Sequence, residues 1–258
     1  MSRLRARCPD CRTLTAVALG PEYQCHACGR EFAAGLVRVP RAWGHGGEAM
    51  AAAAFLELPY PETTVIEAET LGEQTLLLAA ELPDRPLVLG GCCCSHVGAV
   101  EALSAVDETL AVVWIDAHGD LNTPESSPSG NAWGMPLRML LDGGAVEPGN
   151  VALVGARNLD PPEVDFIGAS GLHTGQDAVE RAVEGTSAVY VALDADAAEP
   201  GELAVFMPEP DGLRLEELEQ LLAGVAVRAR IAGLGFSGLL PDSENGPKLA
   251  RLAAALGL

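Results

Sequence analysis

The sequence has no long hydrophobic run. Its apolar stretches are short and broken by charge, Gly or Pro, and none approaches the ~20 residues of a membrane-spanning helix. A helical membrane protein is therefore excluded. The first residues, MSRLRARCPDC, include basic side chains but lack the apolar segment of a secretory signal, so the expected location is cytoplasmic. Basic residues are scarce, and the formal net charge is −20. Residues 1–41 hold seven Lys/Arg against three Asp/Glu, whereas residues 42–258 hold nine against thirty-three. Such a body repels nucleic acid and anionic membranes, and neither is expected as a partner. Internal repeats and low-complexity tracts are also missing.

What is present suits one large α/β domain with a small appendage. With 48% hydrophobic residues among 258, a full core is within reach. Seven cysteines fall in two groups, Cys8, Cys11, Cys25 and Cys28, then Cys92, Cys93 and Cys94. Without a secretion signal, disulfides are not expected. Metal ligation or free thiols are the alternatives.

Residues 1–34 read as a zinc-ribbon-like module. CPDC and CHAC are separated by 13 residues, and two CxxC knuckles at such a distance can wrap one tetrahedral zinc ion. A piece this short cannot bury enough core to fold without a staple. A pair of redox dithiols is the competing reading, disfavoured because no βαβ context surrounds them.

Over residues 35–258, strand candidates (63–69, 85–91, 110–116, 151–157, 188–196 and 230–237) alternate with helix candidates (70–82, 95–105, 133–142, 175–184, 213–227 and 246–256). The strands are continuous apolar runs, as in strands buried on both faces. The expected fold is a three-layer α/β domain around a mostly parallel sheet. Ligands bind at the C-terminal strand ends of such sheets. There LAVVWID runs into His118 and Asp120, AVYVALD into Asp196, and RPLVLGG into Cys92, Cys93 and Cys94.

Asp116, His118 and Asp120 alternate with Ala117 and Gly119, a spacing that points all three the same way in an extended segment. Asp194 and Asp196 repeat the device. So many carboxylates in one crevice cannot all ionise without cations between them. Oxygen donors plus one imidazole suit Mn²⁺ better than a thiol-loving metal. Two metals ~3.5–4 Å apart can turn a shared water into a hydroxide nucleophile. A solvated strand end beside a DxD loop is the plainer reading; the two motifs together argue against it.

WIDAHGDLNTP, SGNAWGMP and ALDADAAEP resemble the arginase/agmatinase (ureohydrolase) superfamily over roughly residues 85–245. The resemblance implies an arginase-like fold and a binuclear Mn²⁺ centre. It also implies hydrolysis of a C–N bond in guanidino compounds and a homo-oligomer, trimer or hexamer. By position, Asp116, His118, Asp120, Asp194 and Asp196 become the catalytic metal ligands. Asn122, Ser127 and Ser129 match the places that hold an amino acid's α-carboxylate in the arginase branch. Arg157-Asn158-Leu159-Asp160-Pro161-Pro162-Glu163 matches a loop supporting the α-amino group, with Asp160 and Glu163 kept. The implied substrate is a small amino-acid-like molecule. Ordinary loop chemistry is the other reading of the two serines.

Three departures stand out. Where the family has GGDHS, this chain has Gly90-Gly91-Cys92-Cys93-Cys94-Ser95-His96, so Cys93 takes the place of a ligating histidine. A thiolate there would shift preference toward Zn²⁺, Fe²⁺ or Ni²⁺, unless the three cysteines are packing residues. His96 is either a substitute ligand or a histidine of the helix face or core. Trp133 replaces the family's catalytic histidine and cannot shuttle a proton. Gly238 replaces a glutamate that pairs with guanidinium, with Asp242 and Glu244 following shortly. Without that partner a cationic group is disfavoured and a neutral ureido or amide group fits better. Two readings follow: a metallohydrolase of changed specificity, or a catalytically impaired metal-binding pseudoenzyme that binds a small molecule or a protein.

Overall fold

In the computed structural model, residues 4–107 and 109–258 are described. The chain begins with four short strands, β1 (Arg5–Ala6), β2 (Ala16–Leu19), β3 (Glu22–Cys25) and β4 (Glu31–Phe32), paired antiparallel in that order. Their own core is tiny, built on Ala6, Cys8, Ala16, Tyr23, Cys25 and Phe32. The four sulfurs converge, with Cys8 Sγ 3.9 Å from Cys28 Sγ and Cys11 Sγ 3.8 Å from Cys25 Sγ. Tetrahedral bonds of 2.3 Å to one zinc ion place sulfurs about 3.8 Å apart, so the donor set fits that ion.

The second sheet starts at β5 (Gly35–Val39). After it come α1 (Glu48–Ala53), β6 (Glu62–Val65), α2 (Leu71–Glu81), β7 (Pro86–Gly90), α3 (Ser95–Ser104), β8 (Leu110–Ile115), α4 (Pro136–Asp142) and β9 (Val151–Val154). The chain closes with α5 (Pro161–Ser170), α6 (Ala178–Val183), β10 (Ala188–Asp194), α7 (Leu215–Ala226), β11 (Ile231–Ser237) and α8 (Asn245–Ala255). The order across the sheet is β6-β5-β7-β11-β10-β8-β9, every pair parallel. β7, β8 and β10 are buried along their whole length, as continuous apolar runs require. One core lies on each face: Leu218, Leu222, Phe236 and Leu252 in the first, Val88, Val112, Leu137 and Tyr190 in the second. This is the expected three-layer α/β architecture around a parallel sheet. Among the described residues no helix is long and apolar enough to cross a membrane.

Every expected strand and helix has a counterpart, most with shorter ends, while β6 and α8 each begin one residue earlier. β9 stops before Gly155 at φ 87°, and α6 begins after Gly175 at φ 88°. α4 begins at Pro136, preceded by a single tight turn at Ala132–Gly134. Three body elements went unread. β5 is broken in sequence by Arg38, which is nonetheless buried: its Nε donates to Glu62 Oε2 (2.6 Å) and its Nη1 to the Ala54 and Leu56 carbonyls. α1 has only six residues and no side-chain cap. α5 opens on Pro161-Pro162 behind the Asp160/Glu163 capping box, a start signal obscured by reading the segment as a loop.

The four-stranded sheet caps the edge of the larger one. Arg7 N donates to Glu62 O (2.7 Å) and Glu62 N to Arg7 O (3.0 Å), which covers part of the β6 edge. Changing Cys8 and Cys11 together to Ser should release one zinc per chain and unfold residues 1–34, while circular dichroism of the body persists. Full zinc retention in the double variant would show that these sulfurs hold no metal.

Candidate metal centre

Four adjacent strands, β7, β11, β10 and β8, aim their C-terminal ends into one crevice. Past β8, Asp116 is 1% exposed; its Oδ2 accepts from Trp114 Nε1 (3.3 Å) and its Oδ1 from His118 N (2.7 Å). At the end of β10, Asp194 Oδ1 accepts from Asp196 N (3.0 Å), and Asp196 Oδ1 accepts from Ala117 N (3.1 Å). Each DxH or DxD step is thus held by the first aspartate bonding the backbone two residues on. Asp120 adopts φ 53°, a conformation Asp tolerates better than most residues.

Possible ligand atoms form two clusters: Cys93, Asp116 and Asp120 in one, Asp116, His118 and Asp196 in the other. Asp116 belongs to both. Asp194 joins through Cys93, whose Sγ lies 2.8 Å from its Oδ2 and 3.7 Å from Asp116 Oδ2. Asp120 Oδ2 is buried without a hydrogen-bond partner, a costly state that a bound cation relieves. The donors therefore fit a pair of divalent metals.

Electrostatics agree. Burial, reinforced by Asp196, pushes Asp194 up to about 6. Burial, reinforced by Asp116, pushes Asp196 up to about 6. Burial drives Asp120 and the Cys93 thiol well above their ordinary ranges, with neighbouring carboxylates adding to it. At His118 burial disfavours the imidazolium, but hydrogen bonds to Asp116 and Asp196 outweigh it and the pKa is pushed up to about 12. His118 Nδ1 sits 3.1 Å from Asp196 Oδ2 and 3.4 Å from Asp116 Oδ1.

Beyond these residues the crevice opens into a cavity of about 280 Å³. Asn122, Ser127, Ser129, Asp160 and Glu163 all line it. Asn122 Nδ2 donates to Asp160 Oδ2 (2.8 Å). Glu163 spends both oxygens on backbone, accepting from Leu121 N and Asp160 N at 2.9 Å each, so it braces the loop after the metal motif against α5. Ser127 and Ser129 hydroxyls accept from Gly130 N and Asn131 N, and both also face the cavity. Asp242 and Glu244 are exposed and do not line it. His96 is fully buried and hydrogen-bonds Tyr190 and Ser237; burial pushes its pKa down to about 3. It is a core histidine.

A model of the arginase family matches residues 57–258. The chain belongs to the arginase family. The arginase of Staphylococcus aureus (strain COL) is 39% identical over 45% of this chain and 47% of its own, so the match spans about half that relative. The arginase of Bacillus caldovelox is 31% identical over 66% of each chain. The crystal structure of arginase from Bacillus subtilis superposes with a TM-score of 0.75 at 25% identity, covering 86% of this chain and 97% of that one.

Trp133 and Gly238 are both closely packed against neighbours. Trp133 lines the cavity edge-on to Phe206, centroids 5.9 Å apart. A Cβ on Gly44 would fall 2.3 Å from its ring, so that glycine makes room for the indole. Gly238 has φ 72°, and a Cβ there would lie 2.1 Å from Asp194 Oδ1. Residues invisible to the motifs also contribute: Glu209 Oε1, 3.6 Å from His118 Nε2, Ser237 beside Asp194, and the apolar wall of Met50, Phe206 and Met207. Only Ser237 left a trace, as a polar residue ending an apolar strand beside a motif position.

Two outcomes are expected. Gly44→Ala should destabilise the fold by ~1–3 kcal/mol by forcing Trp133 aside; unchanged stability would mean the indole is loosely held. The second concerns pH. In metal-free protein Asp194 and Asp196 keep protons to about pH 6, whereas unfolded Asp loses them near ~3.9, so stability falls as pH rises through that window. The His118 contribution is complete below ~6.5 and declines as pH climbs toward its folded value of about 12. Both slopes have the same sign, so the metal-free Tm should fall between about pH 4.5 and 8.5. Saturating divalent metal should raise Tm more at pH 8 than at pH 5, since the cation displaces protons. Calorimetry showing the reverse order would contradict this.

Proposed function

We propose that this chain is a metal-dependent hydrolase of the arginase type, cleaving a non-peptide C–N bond in a small amino-acid-like substrate. The reading rests on one observation above the others: Asp116 is shared by two ligand clusters, beside a buried Asp120 oxygen with no other partner. Asp116, Asp120, Asp194 and Cys93 would hold one metal, and Asp116, His118, Asp194 and Asp196 the other. Bound metals supply Lewis-acid charge and acidify water at neutral pH. Oxygen donors with an imidazole favour Mn²⁺, while Cys93 draws one site toward Zn²⁺, Fe²⁺ or Ni²⁺.

The chain's own residues account for substrate choice. Asn122, Ser127, Ser129 and Asp160 would grip the amino-acid end, Asp160 being oriented by the Asn122 amide. At the reacting end the nearby carboxylates are already partnered: Gly238 cannot carry a side chain without displacing Asp194, Glu163 is engaged with backbone, and Glu209 accepts from Asn158 Nδ2 beside His118. A buried unpaired guanidinium is costly, so a neutral ureido or amide group is the better ligand. Trp133 and Phe206 form an apolar wall there. Residues 1–34 act as a separate zinc-held module, residues 35–258 as the hydrolase domain. The active unit is a cytoplasmic homo-oligomer, a trimer or hexamer, as in the resembled family.

A second reading is a binding module that retains metals without turnover; it is favoured by Trp133, which cannot move a proton yet is firmly seated. Metal-loaded protein should be assayed for ammonia, urea or amine release on a panel of ureido, amide and guanidino amino acids. Turnover of a neutral member above any guanidino compound, lost in Asp120→Asn, is the expected result. Binding of panel members without product would favour the second reading.

A further inference from the structure

A line of buried polar groups leads from the metal centre into the core. Ser237 Oγ lies 3.0 Å from Asp194 Oδ2 and 3.1 Å from His96 Nε2, and His96 Nδ1 lies 3.1 Å from Tyr190 Oη. All three side chains have no solvent exposure. We propose that Tyr190, His96 and Ser237 form a one-directional hydrogen-bond chain that fixes the Asp194 carboxylate for metal ligation. The inference rests on the metal-centre reading above.

The direction follows from donor bookkeeping. An ionised carboxylate only accepts, so the Ser237 hydroxyl donates its single proton to Asp194. His96 Nε2 must then carry a hydrogen and donate to Ser237 Oγ. In a neutral imidazole the other nitrogen is the acceptor, so Tyr190 O–H donates to Nδ1. Every polar atom of the three is satisfied by one arrangement, and its mirror tautomer would leave two lone pairs facing each other at Ser237. The imidazole also sits against Trp114 and Tyr190, edge-on at 5.3 and 6.0 Å.

The seat is specific to these residues. β11 passes beneath the ring at Gly235, where a Cβ would fall 2.3 Å from Tyr190 Oη and 2.4 Å from His96 Nδ1. Cys93 packs against the same hydroxyl, Sγ 3.3 Å from Ser237 Oγ, and against the same Asp194 oxygen. A thiol has no second ring nitrogen for an outer hydrogen bond to orient, as a ligating imidazole has. Here the orienting bond reaches the cluster through the carboxylate instead. Ser237, His96 and Tyr190 are positioning residues acting through Asp194, as Trp114 Nε1 does through Asp116.

The test uses the full chain, with Mn²⁺ alone as probe. Removing an outer partner of a metal ligand weakens affinity ~10–100-fold, so Ser237→Ala should lose affinity in that range. Tyr190→Phe should shift it in the same direction by less, with the fold retained by circular dichroism. In wild-type metal-free protein at pH 8, above the Asp194 value of about 6, nitrogen NMR should show His96 as the Nε2–H tautomer, a readout needing no variant. Wild-type Mn²⁺ affinity in Ser237→Ala, or an Nδ1–H tautomer, would overturn the proposal. Asp116→Asn separates the two claims. If it abolishes binding while Ser237→Ala changes nothing, positioning alone fails; if it too leaves binding intact, the metal-centre reading fails.

Discussion

Four carboxylates, Asp116, Asp120, Asp194 and Asp196, meet at the ends of β8 and β10 with 1–6% exposure. At such separations in a dry crevice they cannot all ionise without positive charge among them. Hydrogen bonds to Asp116 and Asp196 favour the His118 imidazolium, and burial beside the carboxylates drives the Cys93 thiol and Asp120 far above their ordinary ranges. The sheet order places the β7, β11, β10 and β8 ends side by side. Fold and charge are therefore coupled. The same packing that stabilises the sheet makes the site unstable without a cation.

Glycines carry much of the site's individuality. Gly44 leaves room for the Trp133 ring, Gly235 for His96 and Tyr190, and Gly238 for the Asp194 carboxylate. A Cβ at any of them would come within 2.3 Å of a neighbouring side chain in its present position. Replacing one functional side chain in this setting requires its neighbours to change as well.

The sequence made the body legible where one physical rule dominated. Continuous apolar runs marked the buried parallel strands, and carboxylates at their C-terminal ends marked the crevice. CxxC spacing marked the four converging sulfurs. Legibility failed where tertiary partners overrode local character. Arg38 interrupts β5 in sequence but is matched by Glu62 and two carbonyls in space. Glu163 lines the cavity, and its oxygens also hold the Leu121 and Asp160 backbone, contacts that no motif spacing reveals. His96 fits either a ligand or a core position in the sequence because its partners, Tyr190 and Ser237, lie 94 and 141 residues away. Glu209 belongs to a loop with no motif.

The central claim is that two cations share Asp116. Anomalous diffraction from crystals of the full chain loaded with Mn²⁺ tests it most directly. The account predicts two peaks flanking the Asp116 carboxylate, one contacted by Cys93 and Asp120, the other by His118 and Asp196. A metal-loaded crystal with no peak in the crevice, or with one peak and Asp120 Oδ2 still without a partner, would contradict it.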